Sequence, residues 1–415
     1  VKKAARANWT PNFSMERGQF RELRLEEASS ISSATETRGS IALPASMKIT
    51  RILGFRVLVP LKGTYPSYTM SGGRTADEFD STIVCVQTNS GIEGWGEVIP
   101  LGASYLPAYP EGARAGIREI APALIGADPT QLGKINYKMD AALCGHPYTK
   151  SALDIACWDI LGKHTGLPVS TLLGGQFGNR IRLYRAIPIA PPEDMAGWVR
   201  DLKSQGFVDF QAKVGSDPVG DIERIKAVID AMGPGGSVYA DANGGWTMSQ
   251  AAQVVRAVRD LDLFIEQPCQ SYEACLSVRR RFDNPFLLDE SVDSLAVLQR
   301  AIGDRAMDAI SLKVSRLGGL TNSRLLRDVC AQNGIMMRIE DTACTDIGAA
   351  AVCHLAHSTP EHMRLAASLA NSRLSFHTAT GAPEVSDGCA WPSDKPGLGI
   401  EPIRSALGEP IFSCE

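Results

Sequence analysis

From about residue 180 onward, short apolar runs alternate with amphipathic stretches. The runs are IRLYRAIPI, VDFQAKV, SVYADA, LFIEQP, PFLLDES, DAISLKV, IMMRIED and MRLAASL. Between them lie helical patterns such as DIERIKAVIDAM, SQAAQVVRAVRDL and LTNSRLLRDVCAQNG. This spacing predicts eight strands in βα alternation. Strands that are apolar along their whole length are buried on both faces. The pattern therefore points to a closed parallel barrel or a doubly wound sheet.

The region before this has another texture. KITRILGFRVLVPL and STIVCVQTNSGIEGWGEVIP read as strands, with a hairpin at Asn89-Ser90-Gly91. EGARAGIREIAPALIG and KSALDIACWDILGKH read as helices, the second with Ala152, Ala156 and Ile160 on one face. Strands followed by helices predict a small α+β domain up to about residue 170. Residues 1–46 lack sustained periodicity and are rich in Ser, Arg and Glu. They hold no long apolar segment, and Glu16, Glu22, Glu26 and Glu27 argue against a transit peptide. They are expected to be a flexible extension or an artefact, with the folded protein beginning near Met47.

Composition narrows the function classes. The chain has 415 residues, 44% of them hydrophobic, enough for a sizeable core. Net charge is −4 and no long run of like charge occurs, so neither nucleic acid nor an anionic membrane is an expected partner. No apolar stretch is long enough to cross a bilayer. The 10 cysteines form no C-x-x-C pair and mostly sit in apolar patterns. They are expected to be reduced, buried thiols of a cytoplasmic protein.

The candidate chemistry lies at the ends of the predicted strands. Lys213 ends the second, Asp241 the third, Glu266 the fourth, Asp289 the fifth and Lys313 the sixth, with gaps of 28, 25, 23 and 24 residues. In a parallel barrel all these ends share one rim. Three carboxylates there suit a hard divalent cation. The two lysines flank them. A lysine base removing the proton α to a substrate carboxylate, with a cation stabilising the resulting charge, is chemistry this set can perform. Each residue alone could as easily be a cap, a turn residue or a lysine reaching to solvent. Five in register, ordered +, −, −, −, +, are hard to explain separately.

SALDIACWDILGKHTGLPVSTLLGG, YADANGGW, FIEQPC and LLDES resemble segments of the enolase superfamily, specifically the mandelate racemase/muconate lactonizing enzyme group. The resemblance runs from about Met47 to the end. It implies a modified (β/α)7β TIM barrel with an N-terminal α+β capping domain. The expected domains are 47–172 for the cap, 173–384 for the barrel and 385–415 for a segment returning to the cap, where PGLGIEP resembles the closing stretch. It also implies Mg²⁺ on Asp241, Glu266 and Asp289, with Glu290 behind them and Asn243 close by. Lys213 and Lys313 would be the catalytic bases, a small carboxylate the substrate, and a homo-oligomer the assembly.

Two departures stand out. Gln211 occupies a position that is often lysine in muconate-type members. No histidine ends the seventh strand, and His354 and His357 fall in a helical pattern as packing or surface residues. A narrower similarity is to members acting on proline derivatives, through Q-x-K-V-G, LCGHPYTKSALDIA and LKVSRLGGL. It implies dehydration of cis-3-hydroxy-L-proline, or alternatively racemisation or epimerisation of a proline derivative. The cap loop YTMSGGR, with Tyr68 and Ser71, would close over the substrate. Ala343-Cys344-Thr345 replaces a Trp-Gly-Gly usual in those members, which removes an aromatic face for a quaternary nitrogen. A secondary ammonium could use Glu340 or Asp341 instead. Two other function classes compete with this one. A dinucleotide-dependent enzyme fails because Gly174-Gly175-Gln176-Phe177-Gly178 has the wrong spacing and precedes a strand. A non-catalytic binding protein rests on the altered 343–345 stretch.

Overall fold

Recurring Val, Ile and Phe build a 12-residue strand, Ile49–Pro60. It pairs antiparallel with Glu78–Thr88, which turns back through Asn89–Gly91 to pair with Glu93–Val98. Phe412–Cys414, from the far end of the chain, joins the first strand's other edge. Three helices accompany this sheet: Pro110–Leu124, Leu132–Ala142 and Pro147–Thr165. The middle one escapes the sequence pattern because it buries only Ile135 and Met139. The third packs directly on strand Glu93–Val98. A Cβ on Gly96 would lie 1.9 Å from the carbonyl oxygen of Ala152, and one on Gly94 2.1 Å from that of Ala156. Only glycine permits that approach.

The computed structural model describes residues 47–62 and 68–415, so the extension expected at 1–46 lies outside the described residues. The eight apolar runs become parallel strands. In order they are Tyr184–Ile187, Asp209–Lys213, Val238–Asp241, Phe264–Glu266, Phe286–Leu288, Ala309–Lys313, Met336–Glu340 and Arg364–Ala367. Each pairs with the next, and a parallel bridge between Leu183 and Ala367 brings the last beside the first. The fold is therefore a barrel, not a doubly wound sheet. Seven helices connect the eight strands, from Pro192–Ser204 to Asp346–His357, which gives the expected (β/α)7β architecture.

Polar caps start several of these helices. Asp217 accepts from the Gly220 amide, Ser271 from Ala274 and Ser294 from Val297. Thr247 and Gln250 form a reciprocal capping box. The described residues beyond Ser46 form one compact unit. Buried carboxylates join the two sheets within it. Asp154 accepts from the Thr321 amide at 3.0 Å and hydroxyl at 2.6 Å. Asp159 accepts from the amides of Trp95 and Leu398. Glu97 accepts from the Thr345 hydroxyl at 2.7 Å and the Gly348 amide at 2.7 Å.

All ten cysteines are free, and eight are buried. His354 and His357 are buried packing residues, as expected. His354 lies between the Ser170 amide and the Leu398 carbonyl, and burial lowers its pKa to about 4. No helix among the described residues is long and apolar enough to cross a membrane.

Candidate active site

The register of neighbouring strands sets the site. Lys213 lies opposite Asp241, Asp241 opposite Glu266, and Lys313 opposite Glu340. Asp289 stands one residue past Leu288. All five residues of the charged series are buried at the C-terminal rim. The second and sixth strands are four apart in a ring of eight, so Lys213 and Lys313 face each other across the barrel.

Each carboxylate has a cation. Lys213 Nζ is 2.5 Å from Asp241 Oδ2 and 3.2 Å from Asn243 Oδ1. Lys313 Nζ is 2.7 Å from Asp289 Oδ2, and Arg316 is 2.5 Å from Asp289 Oδ1. Arg338 donates through both terminal nitrogens to Glu266, one contact at 2.6 Å, and also reaches Glu340. The Gln211 amide nitrogen lies 2.9 Å from Asp241 Oδ2 and 2.9 and 3.0 Å from the two oxygens of Glu266. Those two carboxylates thus converge on one point.

Burial and charge set the protonation. Burial works to lower both lysines, but the carboxylates overcome it. Asp241 chiefly raises Lys213, and Asp289 chiefly raises Lys313. Burial raises Glu266 to about 8 against Arg338, helped by the charges of Asp241 and Asp289. Burial, with Asp289 and Asp241, also raises Glu290 to about 7. Asp289 moves the other way. Burial opposes its charge, but Lys313 and Arg316 hold it well below the usual carboxylate range.

A cavity of roughly 690 Å³, counting its open mouth, is lined by Lys213, Lys313, Gln211, Tyr68, Glu340 and Asp341, among others. Asp241, Glu266 and Asp289 do not line it. They lie behind the lysines and Gln211. The remaining expected contacts divide. Ser71 is buried outside the lining and donates to the Gly215 carbonyl at 3.1 Å. Asn243 bridges Asp241 and Glu290 at 3.0 and 2.9 Å. Glu340 is occupied by Arg338, Tyr184 at 2.6 Å and Ser311. Asp341 accepts from Ser315 and the Thr342 amide, and burial raises its pKa to about 6. Ala343 and Cys344 line the cavity in place of the aromatic side chain of the proline-acting members, while Thr345 turns to Glu97.

Three participants escaped the sequence. Arg316, in the loop after Ala309–Lys313, and Arg338, within Met336–Glu340, carry no sequence signal for their inward direction. Tyr105 comes from a cap loop without periodicity, yet its hydroxyl sits 2.7 Å from Lys313 Nζ.

The donor set can be tested against a divalent cation. Among the described residues, no three acidic, His or Cys side chains are grouped closely enough to hold an ion as placed. Each carboxylate is turned to its own cation. The charge count still favours an ion. Fully ionised, Asp241, Glu266, Asp289, Glu290, Glu340 and Asp341 would outnumber Lys213, Lys313, Arg316 and Arg338 by two, and without an ion the raised pKa values of Glu266 and Glu290 take up that excess as bound protons. Glu290 Oε2 is buried without a hydrogen-bond partner. Hard carboxylate oxygens that would carry a two-charge excess once ionised fit Mg²⁺.

Comparison with known proteins points the same way. Residues 194–406 match the family model described as enolase C-terminal domain-like. Residues 59–174 match the mandelate racemase/muconate lactonizing enzyme N-terminal domain. The chain is 49% identical to a cis-3-hydroxy-L-proline dehydratase of Roseibium aggregatum over 365 residues, 88% of this chain and 99% of that one. It is 29% identical to an N-succinyl-L-Arg/Lys racemase of Bacillus cereus, over 88% of this chain and 98% of that one. Among solved structures, an enolase-superfamily member from Roseovarius nubinhibens complexed with magnesium superimposes with a TM-score of 0.84 at 40% identity, covering 89% of this chain and 100% of that one.

Proposed function

The chain belongs to the mandelate racemase/muconate lactonizing enzyme family of the enolase superfamily, and from that premise we propose that it is a Mg²⁺-dependent dehydratase of cis-3-hydroxy-L-proline. The observation that carries this reading is the pair Lys213 and Lys313, facing each other across one cavity with three buried carboxylates behind them. The 49% identity to a dehydratase of this substrate, over nearly its whole length, selects the substrate.

Asp241, Glu266 and Asp289 would hold the ion, with Glu290 and Asn243 supporting them. When bound, Mg²⁺ would place positive charge against the substrate carboxylate as the α-proton leaves. The chain's own residues do the rest. A lysine must be neutral to accept the α-proton. Asp241 is what chiefly raises Lys213, so engaging that carboxylate elsewhere leaves burial to lower it. Asp341, on the cavity wall and clear of Arg338, is the carboxylate better placed for the ring ammonium; Glu340 is already committed to three donors. Gln211 holds Asp241 and Glu266 together without adding a charge beside the base. The cap tyrosine Tyr68 lines the cavity. Burial of most thiols fits a cytoplasmic setting, and the family setting supports a homo-oligomer, which light scattering would check.

The test is incubation of the purified protein with Mg²⁺ and cis-3-hydroxy-L-proline in D₂O. Loss of substrate with formation of a cyclic imine, trapped by borohydride, supports dehydration. Recovery of substrate deuterated at the α-carbon, with no imine, overturns it. Two opposed lysines also suit 1,1-proton transfer, so that second outcome would favour a racemase or epimerase of a proline derivative.

A further inference from the structure

Dehydration needs more than a base, because hydroxide leaves poorly unless it is protonated as the C–O bond breaks. One hydroxyl on the cavity wall, in contact with Lys313, accepts well and donates poorly. Tyr105 lies in the loop between strand Glu93–Val98 and helix Pro110–Leu124. Its oxygen accepts from Lys313 Nζ at 2.7 Å. Its own hydrogen reaches only Asp289 Oδ2 at 3.3 Å, longer than an ordinary O–H···O bond. A closer oxygen over the cavity would capture it. Tyr184, another hydroxyl on this wall, is engaged, donating to Glu340 at 2.6 Å.

Tyr105 is also held in place. The Arg74 guanidinium lies 5.9 Å from its ring centroid. Arg74 further donates to the carbonyls of Ser104 at 2.5 Å and Ser71 at 3.0 Å, tying two cap loops over the cavity.

The stereochemistry of the substrate decides which side must supply the acid. In cis-3-hydroxy-L-proline the hydroxyl and carboxylate share one ring face. The α-hydrogen is therefore on the face opposite the hydroxyl. Base and acid must stand on opposite sides of the ring, as Lys213 and the Lys313–Tyr105 pair do.

We propose that Tyr105 donates the proton to the leaving hydroxyl and is recharged by Lys313, while Lys213 is the base that takes the α-proton. The inference rests on the dehydratase reading above. The Cα–H bond breaks and its proton passes to Lys213 Nζ. The electron pair forms the C2–C3 double bond as the C3–O bond breaks. The departing oxygen takes the Tyr105 hydroxyl proton and leaves as water. The Tyr105 oxygen then takes a proton from the Lys313 ammonium across the 2.7 Å contact. Lys213 afterwards returns its proton to solvent and Lys313 regains one. The sum is substrate to cyclic enamine plus water, and the enamine isomerises to the imine.

Tyr105→Phe tests this with three readouts: imine formation, deuterium uptake at the α-carbon of recovered substrate in D₂O, and chloride release from cis-3-chloro-L-proline. Chloride leaves without a proton. The proposal expects imine formation from the hydroxy substrate to fall about a hundredfold or more. It expects α-exchange and chloride release to stay within about threefold of wild type. Dehydration within threefold of wild type would overturn it. So would loss of exchange and chloride release in proportion to dehydration, which would make Tyr105 a positioning residue for Lys313. If the wild type itself forms no imine, the dehydratase reading fails first and this inference falls with it; if the wild type dehydrates and the variant does so equally well, only the inference falls.

Discussion

Binding of Mg²⁺ should release close to one proton at neutral pH. Burial, with Asp241 and Asp289, raises Glu266 to about 8. At pH 7 such a group is about nine-tenths protonated. Coordination requires the carboxylate, so the proton must leave. Glu290, at about 7, adds a fraction of a second. Apparent Mg²⁺ affinity should therefore rise about tenfold per pH unit between pH 6 and 8, roughly 1.4 kcal/mol per unit, and level off above 9. The same shift fixes a stability trend. The folded value of Glu266 lies above its ordinary 4.5. Between those values the folded chain holds a proton that the unfolded chain has lost. Metal-free protein should thus lose stability as pH rises from about 4.5 to 8, and Mg²⁺ should offset the loss. Calorimetric Mg²⁺ titrations in two buffers of different ionisation enthalpy measure the proton count directly. Heat that does not depend on the buffer, with affinity flat from pH 6 to 9, would refute the reasoning.

Three substitutions probe other parts of the account. Arg338→Met leaves Glu266 and Glu340 buried without their cation and should cost about 3–5 kcal/mol in urea unfolding; a cost under about 1 kcal/mol contradicts the role given to this pair. Gly96→Ala places a Cβ against the backbone of Ala152, which cannot yield as a side chain would, and should cost about 1–3 kcal/mol in the same assay. Asp241→Asn should abolish calorimetric Mg²⁺ binding while leaving the circular dichroism spectrum unchanged; retained affinity would remove Asp241 from the ion's ligands.

The barrel was legible because its signal is local. Runs such as LFIEQP and PFLLDES set apolar residues side by side rather than alternating them with polar ones, as a strand buried on both faces requires. Their spacing left barrel and open sheet undecided, and only the Leu183–Ala367 bridge separates them. The charged series was legible for the same reason, since strand ends one βα unit apart must share a rim. What stayed hidden depends on contacts distant in sequence. Arg338 sits mid-strand in MMRIE, where its inward direction follows from the barrel's layering. Tyr105 meets Lys313 across 208 residues of chain, from a loop with no pattern to read. The helix Leu132–Ala142 carries too few buried positions to show a period. Glu340 was equally visible with Asp341, but only the fold shows that Arg338, Tyr184 and Ser311 already occupy it.

The central claim is that Lys213 removes a substrate α-proton beside carboxylates, Asp241, Glu266 and Asp289, that would hold Mg²⁺. Release of deuterium to water from cis-3-hydroxy-L-proline labelled at the α-carbon measures that step directly. With Mg²⁺, the wild type should release at least one deuteron per imine formed. EDTA should stop the release and added Mg²⁺ should restore it, and Lys213→Ala should slow it by about a thousandfold or more. Release that continues unchanged in EDTA, or release by Lys213→Ala at the wild-type rate, would contradict the account.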